Sequence, residues 1–592
     1  MKSILFSTFI FSTIIGSIYG RIVNFSLITF GSQVTVTIGD NVVQLNPVDN
    51  FSRVFSVSAT CPDEVFQYTY TVDGNLEGFT RTLPAGELST HNEFFGRQET
   101  ISPLKDLGYP ADKPQWVRSL GKTETFDDSY IPTVILDSGS REYFINGNDT
   151  YTLGRFTIIL KDSIFTETNV PTKAQNRYED KFQWRIKLQN KLNKRKVFKF
   201  RASPNDPVFY RQCLYADVIR AIGNPVHNQI IVRAYLDDGT PIGLFVMIEV
   251  TASNSFIKSQ FYGNENSGKI HAPKELGYSL DCGMGTDFVP GGDYSAIKFE
   301  EGQSSERFGL LSSAMDALDT NDAEAVKQFS KEWFDVDIFL KFMAMEYLTA
   351  HWDSYWMLET NFVLYDDPLE SGNGKYKFYF IDQDYDLTFG LNIPEELNTV
   401  GNDFPTQSYK DLVNANLQLN QSVKTNRVAI DKFLKQGVTV QMFENHLIDI
   451  VKHVFNPVAL GRRIEEYNRR YASEIEWDYS IERLHIGADP LKTRYVWNYN
   501  DYLENLESTP KLSTPWGLKQ WIDMRAESVA AEFGFEWDAV PLEPAPKVIP
   551  EDTSVKDDDD DDSKSNASSS KIEMNLSIMF ITLTFIIFEL FI

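Results

Sequence analysis

The chain is 592 residues long, enough at ~150 residues per domain for several separate cores, which excludes a peptide or a lone small module. With 42% hydrophobic, 14% aromatic and 23% charged residues, it is neither a disordered chain nor a multi-span membrane protein. A formal net charge of −27 excludes a basic groove for nucleic acid, and three cysteines, Cys61, Cys213 and Cys282, close at most one disulfide.

Lys2, the apolar run Ile4 to Ile15 and the small residues up to Gly20 predict a secretory signal peptide over 1–20. From Arg21 to Gly96 short runs alternate apolar and polar residues, as in Val34-Thr35-Val36-Thr37-Ile38, and break at Gly39-Asp40-Asn41 and Asp73-Gly74. That is hairpin grammar, and it predicts an immunoglobulin-like β-sandwich over 21–96, serving as a spacer or as a module for wall glycan. Residues 97–130, with Pro103, Pro110 and Pro114, predict a linker.

Further strands are expected at Phe156–Leu160, Phe182–Leu188 and Val197–Arg201, a helix from Pro207 to Ile222, and a hairpin from Ile230 to Val250. Beyond Ser304 the pattern becomes helical, notably at Val336–Ala350, Val438–Val454, Pro457–Trp477 and Pro515–Phe533. The chain therefore reads as α+β, with a β-rich lobe to about 250 and a helical lobe after about 304. Such a bilobal body binds ligands in its cleft. Residues 541–570 are rich in Pro, Asp and Ser, including six consecutive aspartates at 557–562, and predict a stalk.

The apolar tail Leu576–Ile592 follows a polar spacer, and Asn566-Ala567-Ser568 supplies three small residues before it. This is the pattern of a glycosylphosphatidylinositol (GPI) anchor signal, with attachment at Asn566 and removal of 571–592. A tail-anchored span is the alternative, weakened by Glu589 inside the tail. N-glycosylation acceptors at Asn24, Asn50, Asn148 and Asn420 agree with passage through the secretory pathway to the cell surface, plasma membrane or wall.

Polar chemistry concentrates after the helix ending at Ala350. His351-Trp352-Asp353 and Thr360-Asn361 precede two strand-like runs, and the second run ends in Asp382-Gln383-Asp384-Tyr385-Asp386. An Asp and an Asn on a loop, then a hairpin, then an Asp past a strand is the order used for phosphoryl transfer by enzymes of the protein-kinase type. There the first Asp takes the hydroxyl proton, while the Asn and the later Asp hold Mg²⁺ through hard oxygen atoms. Three departures stand out: no HRD tripeptide, no Gly-rich loop before the β3-like strand, and eight residues from Asp353 to Asn361 where kinases have five. A calcium loop starting at Asp382 fails, since its sixth and twelfth positions hold Leu387 and Ile393. An Asp-x-Asp glycosyltransferase site and a plain acidic turn remain as alternatives; the former lacks upstream βαβ alternation.

Four stretches resemble the CotH family of spore-coat proteins, and more closely the lipid-anchored CotH-type surface proteins of mucoralean fungi, several of them called invasins. These are Asp206-Pro207 with Arg211–Gly223, Pro241–Val250, Phe342–Trp356 and Asp382–Asn392. The resemblance spans about 20–540 and implies an atypical protein-kinase-like domain over 131–540 that uses Mg²⁺ and ATP. By motif, Asp353 matches the catalytic Asp, Asn361 and Asp384 the metal ligands, and Asp386 a second or alternative ligand. Lys199 is the candidate phosphate-binding Lys, with Glu249 a further cofactor-binding candidate. Gln212 stands where some relatives carry the Glu partner of that Lys, which leaves Asp217 as its substitute.

Invasin relatives carry a receptor-binding epitope between the catalytic and metal aspartates. The corresponding segment, Met357–Asp367, offers Thr360, Asn361, Tyr365 and Asp366 as receptor-binding candidates, around an apolar centre. Two functions follow. One is a kinase acting on coat or wall proteins as partners, and the other is an adhesin for a host-cell receptor, held at the membrane by lipid alone. Deleting Leu576–Ile592 is expected to send the protein to the medium, and phospholipase specific for phosphatidylinositol to release the full-length protein from cells. Retention after both treatments would remove the anchor reading.

Overall fold

The computed structural model describes residues 20–393, 404–415, 427–487, 496–508 and 515–552. The expected signal peptide to residue 19, Asn420, Asn566, the rest of the stalk and the anchor signal 571–592 lie outside the described residues. The chain divides into two compact units, residues 1–101 and 102–592.

The first unit is all β. Its strands are Gly20–Ile28, Val34–Ile38, Asn41–Pro47, Val54–Pro62, Phe66–Val72, Asn75–Leu76, Arg81–Leu83 and Ser89–Phe94. Strand Val34–Ile38 buries every second residue, as period-2 alternation requires. Gly39 and the pair Asp73-Gly74 take positive φ, so both expected hairpin turns form where the sequence places them. Strand Asn41–Pro47 pairs with Val34–Ile38 on one side and with Val54–Pro62 on the other. The strands fold around a single core that includes Val23, Phe25, Val36 and Tyr70. Arg81 is buried inside this unit between Glu77 and Glu93. Asn50 and Asn148 are exposed, whereas Asn24 is half-buried within a strand.

Residues 97–130, expected as a linker, belong from Ser102 onward to the second unit. The backbone there is irregular, but Leu104, Leu107 and Tyr109 are buried in the main core. Trp116 Nε1 donates to the carbonyl of Gln260 at 2.7 Å, and Arg118 pairs with Asp367. Apart from a short 3-10 turn at Glu124–Phe126, the segment stays out of regular structure without staying out of the core.

Among the described residues, seven strands of the second unit close into a barrel. Around the barrel they run Thr150–Ile159, Ile164–Gln175, Gln183–Leu192, Arg195–Arg201, Pro241–Glu249, Gln229–Leu236 and Thr133–Leu136. Neighbours are antiparallel except Gln229–Leu236 with Thr133–Leu136, the parallel pair that brings Thr133–Leu136 into closing the barrel. Trp184 and Phe200 stack at 3.9 Å inside it. Helix Arg211–Ala221 follows Arg195–Arg201, inside the expected 207–222 span.

Helix Val336–Thr349 is buried on nearly every side, as its run of apolar residues dictates. It packs against helix Val438–His453 and strand Phe378–Asp382. Helices Ala459–Ser480 and Leu518–Phe533 complete the expected long helices. No helix among the described residues is long and apolar enough to cross a membrane. All three cysteines are buried and unpaired.

The first part of the expected stalk lies along the body instead of projecting from it. Glu543 pairs with Lys105 at 2.6 Å and Lys547 with Glu265 at 2.8 Å. The Pro550 carbonyl accepts from Asn264 Nδ2 at 2.9 Å, and Asp552 meets His271 at 3.0 Å. Prolines leave this segment extended, and its carboxylates find cations on the surface that it crosses.

Glu249 has a structural setting. It stands opposite Phe198 and so projects from the other face of the barrel wall than Lys199. Its carboxylate accepts from buried Arg195 at 2.7 Å, from Ser259 Oγ at 2.9 Å, and from the amide and side chain of Asn228 at 2.9 and 2.7 Å. Both oxygens are thus engaged within the protein, by Arg195, Ser259 and Asn228. Glu249→Ala is expected to cost about 3–5 kcal/mol in urea unfolding, the magnitude of breaking a buried ion pair from one side. A loss under 1 kcal/mol would contradict this setting.

Candidate active site

Helix Val336–Thr349 starts on Asp335, whose side chain accepts the amide of Ile338, and stops at Ala350, held in the left-handed conformation at φ 45°. The chain then delivers His351, Trp352 and Asp353. Strands Phe362–Asp366 and Phe378–Asp382 pair antiparallel with Phe362 opposite Asp382. This register brings the start of one strand to the end of the other, and Gln383 N donates to the Asn361 carbonyl at 3.0 Å. Asn361 Nδ2 in turn donates to the Asp353 carbonyl at 2.9 Å. Two short connections and one hairpin thereby gather Asp353, Asn361 and Asp384.

The opposite wall comes from strand Arg195–Arg201. Lys199 Nζ lies 3.1 Å from Asp384 Oδ1. Arg201, one pleat further on the same face, forms a close ion pair with Asp384 and another with Asp386 at 2.6 Å. Burial pushes the Lys199 ammonium well below the usual lysine range, and neighbouring Arg201 adds to the shift. Burial also raises the Asp353 carboxyl; His351 opposes this and Asp386 reinforces it. Backbone strain concentrates here, since Ala350, Glu359, Asn361 and Asp384 all take positive φ without being glycine.

Behind these residues sits Asp382, fully buried. Its carboxylate accepts from the Tyr215 hydroxyl and faces His351 Nδ1 at 3.3 Å; His351 Nε2 lies 3.2 Å from the Asp384 carbonyl. Burial opposes protonation of His351, but Asp382 outweighs it and raises the imidazole. Glu346 accepts from Ser354 Oγ and from Trp356 N, both at 2.7 Å, and burial followed by the charge of Asp382 holds its carboxyl well above the usual range.

The sequence-predicted residues divide accordingly. Asp353, Asn361, Asp384, Asp386 and Lys199 come together. Gln212 bonds Gln229, and Asp217 is engaged by Arg463 at 2.8 Å and Tyr467 at 2.6 Å, so neither pairs with Lys199. The segment Met357–Asp367 is not a surface loop: Phe362–Asp366 is a fully buried strand of a four-stranded sheet. Tyr365 and Asp366 are sealed in, with Asp366 held by Arg307 at 2.6 Å and its carboxyl pushed by burial to about 6. Thr360 is buried and Asn361 is occupied by the site. The apolar centre of the segment made it a core strand. The sheet carrying Asp382 is antiparallel throughout, unlike the βαβ sheet that the Asp-x-Asp glycosyltransferase reading requires.

Two residues escaped the sequence. His351 precedes Asp353 by two positions, the H-x-D spacing of a kinase catalytic loop without its Arg. Arg201 carried one usable signal, its i+2 position from Lys199 on a strand.

The donor set suits Mg²⁺. Asp384, Asp386 and Asn361 supply hard oxygens, and the two carboxylates already converge on one centre of positive charge, the Arg201 guanidinium. Among the described residues no three His, Cys, Asp or Glu side chains form a ready-made metal cage. Mg²⁺ does not require one, because it is commonly held by one or two carboxylates together with substrate phosphates and water.

A family model described as CotH kinase protein matches residues 173–508, a span that contains every member of the constellation. The chain is 32% identical over 497 residues to Invasin CotH2 of Rhizopus delemar, covering 80% of this chain and 79% of that protein. It is 31% identical over 540 residues to Invasin CotH3 of the same organism, covering 87% and 83%. Spore coat protein homolog 1, again from Rhizopus delemar, is 28% identical over 549 residues, covering 89% and 84%. The matching family model and the long relatives lead to one conclusion: the chain belongs to the CotH family.

Proposed function

We propose that the protein is an atypical kinase of the cell surface or secretory pathway that transfers a phosphoryl group from ATP to hydroxyl side chains of coat or wall proteins. The observation that carries this reading is the convergence of Asp353, Asn361, Asp384 and Asp386 with Lys199 at one end of the hairpin. Asp384, Asp386 and Asn361 would hold Mg²⁺, which when bound neutralises charge on the phosphates. Asp353, with its proton affinity raised by burial, accepts the proton of the acceptor hydroxyl. Lys199 binds phosphate by charge and by hydrogen bonds. In this reading the barrel is the first lobe of a kinase-like body, the helices around Val336–Thr349 form the second, and the amino-terminal unit is an immunoglobulin-like sandwich that spaces the body from the wall. The lipid anchor at Asn566 would then present the enzyme at the surface.

A second reading, adhesion to a host-cell receptor, is favoured by the two invasins among the relatives. Its contact surface would lie outside Phe362–Asp366, which the core covers.

In thermal melts, ATP with Mg²⁺ is expected to raise the midpoint of the wild type and of Asp353→Asn, but not of Asp384→Asn, because only ligand bound to the native state stabilises it. Incubation with labelled ATP should show transfer reduced by about 10² or more in both variants, the range contributed by positioned acid–base groups. A full ATP-dependent shift in Asp384→Asn would reassign the metal-binding role to Asp386. No shift in the wild type would set the kinase reading aside and leave adhesion, tested by binding of the 21–540 fragment to endothelial cells.

A further inference from the structure

An ordinary protein kinase lays a Gly-rich loop over the phosphates of its nucleotide. In this chain the turn between strands Ile164–Gln175 and Gln183–Leu192 contains no glycine. The adjoining strands carry positive charge instead. Although the whole chain has a net charge of −27, residues 181–201 hold nine lysines and arginines and no acidic residue. Lys181, Arg195 and Arg201 are buried and engaged by Asp478, by Glu249, and by Asp384 with Asp386. Arg185 differs from them. It is exposed, and among the described residues its side chain makes neither an ion pair nor a hydrogen bond.

Strand register places Arg185 in a row of cations. It stands opposite Lys199 on one side and opposite Lys173 on the other. Its chain neighbours Trp184 and Ile186 fill the barrel, so all three cations project from the outer face, each ~5 Å from the next at Cβ. Like charges directly opposite each other destabilise a sheet. Asp384 answers Lys199 at 3.1 Å and Asp149 lies 3.9 Å from Lys173, but no carboxylate answers Arg185. After burial and Arg201, the charge of Arg185 helps to depress the Lys199 ammonium, as its place beside that residue requires. The row therefore starts inside the candidate active site and runs outward over an open face.

We propose that Arg185 binds the phosphates of the nucleotide, with Lys173 in support, and that this cross-strand row takes the place of the missing Gly-rich loop. The proposal rests on the kinase reading and adds to it a phosphate-binding residue. A guanidinium suits the task, because it stays charged at any working pH and its fork holds two phosphate oxygens at once. The row spans roughly 10 Å from Lys173 to Lys199, which matches an extended polyanion better than a single phosphate. Repulsion within the row is a cost of the ligand-free protein; a polyphosphate laid along it turns each of those contacts into an attraction.

The test titrates the whole protein with Mg²⁺–ATP and, separately, with inorganic tripolyphosphate. The wild type is expected to bind both, more weakly as salt rises. Arg185→Gln should weaken each by about tenfold or more, Lys173→Gln should weaken each less, and Arg185→Lys should recover part of the loss. Lys191→Gln, a charge change further along the same strand, should leave both affinities unchanged. Without ligand, Arg185→Gln should melt no lower than the wild type, since it removes like-charge contacts; a midpoint several degrees lower would make Arg185 structural and overturn the proposal. Full ATP affinity in Arg185→Gln also overturns it and leaves the kinase reading standing. Tripolyphosphate held through Arg185 by a protein that does not bind ATP keeps the row as a polyphosphate site and overturns the kinase reading. A wild type that binds neither ligand overturns both.

Discussion

One buried negative charge organises the site. Asp382 ends the central hairpin with no access to solvent, so its carboxylate must be satisfied by protein groups, and a missing partner would cost the full penalty of desolvation. The partners come from separate parts of the second unit. Tyr215 belongs to helix Arg211–Ala221, inserted between two barrel strands, His351 to the turn after helix Val336–Thr349, and the amide of Gln383 to the turn that carries Asp384. Tyr385 closes that turn by donating to the Asp382 carbonyl at 2.7 Å. A single carboxylate thus sets the spacing between helix Arg211–Ala221, the turn that carries Asp353 and the turn that carries Asp384. The left-handed backbone of Asp384 persists because these bonds over-determine it.

Around Asp382 the chain limits the charge it has to bury. Glu346 feels the charge of Asp382, and burial followed by that charge raises its proton affinity, which favours its neutral form beside the first carboxylate. The rings of His227 and Tyr385 stack at 4.6 Å, and Tyr215 meets Tyr385 at a tilt with centroids 4.3 Å apart, forming an aromatic column behind the turn. His227 is kept neutral there, its imidazole pushed down to about 3 by burial and by the nearby cations of Arg201 and Lys199.

What the sequence revealed and what it hid follow from the range of the interactions. Helix Val336–Thr349, its apolar hairpin and the aspartates beyond were legible because periodicity, capping and turn chemistry act over a few residues. The roles of His351 and Arg201 were not, since they arise from partners more than thirty residues away in the first case and on another wall of the cleft in the second. Glu249 and Asp217 looked like free acids in the sequence and became structural once Arg195 and Arg463 reached them. The segment Met357–Asp367 was read by its place between two aspartates, although its aromatic and aliphatic residues already described a core strand. Closure of the barrel was equally hidden, because the parallel pairing of Thr133–Leu136 with Gln229–Leu236 joins stretches with no local signature of contact.

The docked segment that ends at Asp552 changes how a tether would act on this molecule. Were the chain to hang freely from the end of helix Leu518–Phe533, more than thirty residues would separate the body from Asn566, and the body could tumble widely. With Glu543, Lys547, Pro550 and Asp552 fastened along the surface, a tether at Asn566 would have only the fourteen residues beyond Asp552 to span, at most about 50 Å if fully drawn out. Pulling on that leash loads His271 and its neighbours first, far in sequence from the last helix. Were the chain tethered beyond Asp552, its effective point of attachment would be set by four surface contacts and not by where the final helix stops.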